Sequence, residues 1–145
     1  MMNKSKKIFI VGMYGSGKST LAKKISSLLH LKVYELDDLK YKRKYDHTRS
    51  VKERLKLLNK ITKRKYWIVE GAWTSYAIPV YQRAELIIFL NISRFKLYYR
   101  VIARHFKRKI SKAKNYNDNF GSTFKMLKKI NVYFNNPSNY LLHSV

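Results

Sequence analysis

The sequence predicts an α/β protein: a parallel sheet covered by helices on both faces. Two observations carry that prediction. Short apolar runs alternate with amphipathic segments along the chain. A glycine-rich turn, holding three of the chain's five glycines, joins the first run to the first amphipathic segment.

Each element follows from its own pattern. Ile8-Phe9-Ile10-Val11 reads as a buried strand, and Leu21, Ala22, Ile25, Leu28 and Leu29 then recur at helical spacing. Lys32 to Asp38 reads as a short strand ending in two acids, and residues 40–49 as an exposed basic loop. Ser50-Val51-Lys52-Glu53 is a capping box opening a helix with Val51, Leu55, Leu58 and Ile61 on one face. Tyr66 to Gly71 is the third strand and Leu86 to Asn91 the fourth, with Pro79 between them. From Ser93 a long helix is expected to turn Tyr98, Val101, Ile102, His105 and Phe106 to a core and Arg94, Arg100, Arg104 and Arg108 outward. A polar break at 111–119 precedes a last helix near 121–134, with Phe124, Leu127, Ile130 and Phe134 inward and Pro137 among the residues that stop it.

The glycine turn reads Gly12-Met13-Tyr14-Gly15-Ser16-Gly17-Lys18-Ser19-Thr20, a G-x-x-x-x-G-K-[ST] phosphate-binding loop (Walker A) between strand and helix. Glycine lets the backbone approach phosphates with no Cβ in the way. The amides from about Gly15 to Ser19 form an anion nest, and the helix adds the positive end of its dipole. Gly12, Gly15, Ser16, Gly17, Lys18, Ser19 and Thr20 are the expected nucleotide-binding set. Lys18 reaches the β- and γ-phosphates, Ser19 ligates Mg²⁺, and Thr20 bonds the α-phosphate. The alternative is a glycine turn that merely joins strand to helix.

Length fits one domain over 1–145, with a lid-like region at about 94–120. The absence of cysteine excludes disulfides, thiolate metal sites and cysteine nucleophiles. The basic start runs into too short an apolar stretch for a signal peptide, and no stretch reaches transmembrane length. A cytoplasmic protein without membrane insertion is expected, as a monomer or homodimer. The formal net charge is +24. Either it is a footprint for nucleic acid or another polyanion, or it is the codon bias of an AT-rich genome.

Acids are few, so their positions inform. Of the eight, Asp37, Asp38 and Glu70 fall at carboxyl ends of expected strands, the edge that holds ligands in such sheets. Asp37 or Asp38 is expected to bind the acceptor or take its proton. Glu70 is expected in the metal shell, with Gly71 allowing close approach of a ligand or backbone. The alternative for the aspartates is a helix cap or turn. Arg100, Arg104 and Arg108 recur every four residues as one stripe. Arg100 and Arg104 are expected to stabilise charge on a transferred phosphoryl group; otherwise the stripe is a solvated basic face. Arg49 and Arg54 could grip an anionic acceptor, and His105 reads as packing.

In these blocks the chain resembles the adenylate kinase-like branch of P-loop kinases, which includes shikimate kinase. It looks closest to the small DNA topology modulation proteins of the FlaR type. Gly12 to Thr20, Glu35-Leu36-Asp37-Asp38-Leu39, Trp67 to Gly71, Ala84 to Leu90 and the arginine-rich helix carry the resemblance. It implies a P-loop NTPase three-layer sandwich with sheet order 2-3-1-4, ATP·Mg²⁺ as cofactor, and a lid built around Arg100 and Arg104. The resemblance implies a fifth, C-terminal strand that is not expected from the residues after the last helix, so the fourth strand is expected at a sheet edge. Asn91 stands where relatives often have Asp and is given no metal role.

Three functions remain open from sequence. One is an ATP-dependent kinase acting on a small hydroxyl or phosphate acceptor. The second is a nucleic-acid-associated ATP-binding protein, or a polynucleotide kinase, with twelve tyrosines available to stack on bases. The third is a slow ATPase with no acceptor.

Overall fold

In β1 (Lys7–Gly12) alternate side chains enter opposite cores. Phe9 and Val11 join Trp67 and Val69 on one face, while Ile8 and Ile10 join Ile68 on the other. A strand buried on both faces reads as a continuous apolar run, as this one does. The computed structural model describes residues 6–41, 48–72, 74–110 and 120–135. Of the expected loop at 40–49, residues 42–47 lie outside them, Lys40 ends a short helix and Tyr41 pairs with Thr48; the polar break at 111–119, the helix stop at Pro137 and the side chain of Arg108 also lie outside them.

The contacts divide the described residues into two compact units: those up to Gly12 with those of 17–90, and Met13–Ser16 with those of 91–135. In the first unit β1, β2 (Val33–Glu35), β3 (Trp67–Gly71) and β4 (Leu86–Leu90) form a parallel sheet in the order β2-β3-β1-β4. One face is covered by α1 (Lys18–Leu29), through Ala22, Leu21 and Ile25. The other meets α2 (Leu36–Lys40), α3 (Val51–Thr62) and α4 (Ile78–Arg83), through Leu36, Leu58, Ile61 and Val80. The expected sheet order and helix layers are therefore present, and β4 lies at the edge.

The capping box forms: Ser50 Oγ accepts from Glu53 N at 3.2 Å, and Glu53 Oε2 accepts from Ser50 N at 2.8 Å. Such a cap contributes about 0.5–2 kcal/mol. Two elements depart from the sequence reading. β2 ends at Glu35, and Asp37 and Asp38 lie in the first turn of α2, where they complement its dipole. Around Pro79 the chain forms a 3-10 turn (Ser75–Ala77) and then α4, with Pro79 in the first helical turn, where its missing N–H costs nothing.

The second unit pairs α5 (Arg94–Ile110) with α6 (Phe120–Asn135) around Met13, Leu97, Val101 and Ile130. Its core differs from expectation. Ile102, Phe106 and Phe124 are exposed, whereas Leu97 and Thr123 are buried. On α5 the apolar residues make two stripes. Leu97 and Val101 form the inward one; Phe95, Tyr99, Ile102 and Phe106 form the exposed one. His105 packs as expected, its Nδ1 3.0 Å from Thr123 Oγ1.

Candidate active site

The phosphate loop owes its shape to two left-handed glycines, Gly15 at φ 79° and Gly17 at φ 96°. Gly17 caps α1 without a side-chain bond, and no acid occupies the first turn. The helix N-terminus thus keeps its amides and positive dipole end for an anion. In the second unit a Cβ on Gly15 would lie 3.1 Å from Val101 Cγ2 and 3.3 Å from Leu97 O. Only glycine fits there on both grounds, φ and space. Ser16 Oγ is buried without a hydrogen-bond partner among the described residues. An orphaned hydroxyl inside an anion nest is satisfied by a phosphate oxygen.

In the first unit Ser19 Oγ donates to Glu70 Oε1 at 2.5 Å. Glu70 is buried at the end of β3, in register with Glu35 of β2 and Ile10 of β1. Burial raises its pKa above the ordinary value; the Ser19 bond and Lys18 pull it back, and Glu35 and Asp37 push it up again. A hydroxyl and a carboxylate beside a phosphate loop fit Mg²⁺, which takes one or two protein oxygens plus phosphates and water. Among the described residues no group of three or more His, Asp or Glu forms a metal cage. Gly71 is needed for a different reason from the one expected. A Cβ there would stand 2.7 Å from Leu36 Cβ, so the close approach is to a core side chain.

Asp37 and Asp38 are both exposed on α2, but only Asp38 lines the cleft at the end of β2, with Ser19, Lys23, Tyr34 and Glu35. Lys23, Tyr34 and Glu35 escaped the sequence reading. Two signals were present: Lys23 follows Ser19 by one helical turn, and Glu35 precedes the Asp pair at the end of its own apolar run. Arg49 and Arg54 do not stand ready for an anion. Arg49 Nη1 donates to the carbonyls of Asp38 at 2.9 Å, Leu39 at 3.2 Å and also Tyr41. Arg54 Nε donates to Arg49 O at 2.8 Å, and its guanidinium lies over the Tyr76 ring. In the second unit Arg100 Nη1 meets the carbonyls of Gly15 and Ser16 at 3.4 and 3.3 Å, and Arg104 Nη2 lies 3.3 Å from Met126 Sδ. No helix among the described residues is long and apolar enough to cross a membrane.

No family model matches the sequence. The uncharacterized protein YqaC of Bacillus subtilis (strain 168) is 32% identical over 104 residues, which cover 71% of this chain and 58% of that protein. The match thus spans less than two thirds of the relative. Among solved structures, shikimate kinase from Acinetobacter baumannii in complex with shikimate has a TM-score of 0.55 at 16% identity, covering 92% of this chain and 78% of that one. Shikimate kinase from Bacteroides thetaiotaomicron has a TM-score of 0.54 at 18% identity, covering 84% and 77%. An uncharacterized protein from Eubacterium ventriosum also reaches 0.54, at 16% identity, covering 86% and 70%. The chain has the P-loop kinase fold.

Proposed function

We propose that this chain is a single-domain, cytoplasmic ATP-dependent kinase, transferring a γ-phosphoryl group to a small hydroxyl or phosphate acceptor. The observation that carries this reading is the Ser19–Glu70 pair, a hydroxyl and a buried carboxylate 2.5 Å apart directly after the phosphate-loop lysine. Gly12, Gly15, Ser16, Gly17, Lys18, Ser19 and Thr20 bind the triphosphate. Ser19 and Glu70 hold Mg²⁺, which when bound neutralises charge on the β- and γ-oxygens. Lys18 binds the same oxygens and stabilises charge as the phosphoryl group moves. Asp37 or Asp38 orients the acceptor and takes its proton. Arg100, already against the loop carbonyls, and Arg104 are the candidates to meet charge on the transferred group, in a lid at about 94–120. The FlaR-type resemblance is consistent with this chemistry and adds no acceptor.

Phosphorus NMR with Mg·ATP and a mixed pool of hydroxyl and phosphate acceptors tests the reading. A new phosphorylated product is expected, with Lys18→Ala lowering its rate about 10²–10³-fold. Free phosphate alone, unaffected by any acceptor, would make the chain a slow ATPase. A second reading, a nucleic-acid-associated ATP-binding protein, draws on the exposed stripe of Phe95, Tyr99, Ile102 and Phe106 in a chain of net charge +24. Filter binding without salt-dependent DNA or RNA affinity would remove it.

A further inference from the structure

The acceptor can be narrowed from the cleft at the carboxyl end of β2. Its volume is about 210 Å³, and its polar wall holds Ser19, Lys23, Tyr34, Glu35 and Asp38. Ser19 is the hydroxyl that meets Glu70, so the cleft adjoins the place proposed for the metal. Sites for drug-sized ligands run to about 300–1,000 Å³. This open cleft has room for one molecule of monosaccharide size.

Charge narrows the choice further. Two carboxylates, Glu35 and Asp38, face one cation, Lys23, among the described lining residues. Glu70, behind Ser19, adds a third carboxylate, with Lys18 as a second cation beside it and Glu35 and Asp37 as like charges. An anionic acceptor would need a guanidinium fork to offset this. Among the described residues near the cleft, Arg49 is turned to three backbone carbonyls and Arg54 to Arg49 O and the Tyr76 ring. Carboxylates do suit hydroxyl and ammonium donors, which they accept from directly. Val33 and Leu39 complete the wall with apolar surface for C–H groups.

We infer that the phosphoryl acceptor is a neutral or cationic polyhydroxyl compound of monosaccharide size, such as a sugar, polyol or amino sugar, seated against Glu35 and Asp38. The inference rests on the kinase reading above. The acceptor hydroxyl oxygen forms a bond to the γ-phosphorus, the bond from that phosphorus to the β–γ bridging oxygen breaks, and the nucleoside diphosphate leaves with that electron pair. The hydroxyl proton passes to the Asp38 carboxylate. The products are a phosphomonoester, the diphosphate and, after release from Asp38, a proton.

The test uses the full chain with Mg·ATP and six probes read by phosphorus NMR: xylitol, glucose and glucosamine against gluconate, shikimate and AMP. Binding of a fluorescent ATP analogue is followed in parallel. A phosphomonoester is expected from at least one of the first three and from none of the last three. Asp38→Asn is expected to lower kcat about 10²-fold or more with analogue binding unchanged. Glu35→Gln is expected to raise KM for glucosamine more than for xylitol. Transfer to gluconate, shikimate or AMP overturns the inferred class and leaves the kinase standing. Analogue binding without transfer to any of the first three also overturns it. Failure to bind the analogue, with wild type matching Lys18→Ala, removes the kinase reading itself.

Discussion

β3 and β4 are alike as sequence and unlike as structure. Each has five residues, each is largely apolar, and each pairs in parallel with β1. All five residues of β3 are buried and none of β4 is. β3 lies between β2 and β1, with Trp67 and Val69 in one core and Ile68 in the other. Among the described residues β4 has a hydrogen-bonded neighbour on one side only. Ile88 and Leu90 lean on the α1 cluster, while Ile87 and Phe89 remain 45% and 54% exposed. Apolar content identifies a strand; position in the sheet decides how much of it leaves water.

The largest effect is expected where burial is complete. Trp67→Ala should cost about 3–5 kcal/mol in urea unfolding, the range for a large buried aromatic. A loss near that of Phe89→Ala would mean the two strands do not differ energetically. Next comes the β3 terminus. Gly71→Ala drives a methyl into Leu36 and should cost about 1–3 kcal/mol. Gly121→Ala, in α6 with nothing within 4 Å of its added Cβ, should be stabilising by up to ~1 kcal/mol. Equal thermal shifts for the two would break the packing argument.

Glu70 tests the polar end of the same strand. Burial holds its folded-state pKa above the ordinary 4.5. Its protonated form is therefore favoured by folding, and the stability it contributes is lost as pH rises from about that value through the folded pKa. Glu70→Gln should remove this loss, giving a higher Tm than wild type at neutral pH and a flatter Tm–pH curve, while abolishing Mg²⁺-dependent transfer. A variant curve parallel to wild type would show that Glu70 does not titrate in this window. The smallest effect belongs to β4. Phe89→Ser should change stability by no more than about 0.5 kcal/mol and reduce self-association in sedimentation, because an exposed apolar edge invites pairing.

Local motifs were the most legible part of the candidate site. The phosphate loop was legible because glycine, lysine and hydroxyl residues have fixed jobs at fixed spacing. The Ser50–Glu53 cap was legible for the same local reason. The aspartates were misplaced by one element because Leu36, read as part of a strand, is a core residue that starts α2. The inward face of α5 was legible at Tyr98, Val101 and His105 and not at Ile102 and Phe106, because periodicity reports that a helix has an apolar stripe, and α5 has two. The sheet order came from family resemblance, since strand neighbours are set by long-range pairing that no local pattern encodes. The roles of Arg49 and Arg54 were invisible for a related reason: a guanidinium flanking a helix start looks free to grip an anion until its backbone partners are seen.

Arg49 has a consequence for the order of the cleft wall. By tying together the carbonyls of Asp38, Leu39 and Tyr41, it fixes the end of α2 during folding. The wall that carries Asp38 then loses little conformational entropy when a small molecule arrives. Lysine in its place keeps the charge but cannot hold three carbonyls with one planar group. The cleft would keep its residues and lose its readiness, and a bound molecule would have to order the wall itself.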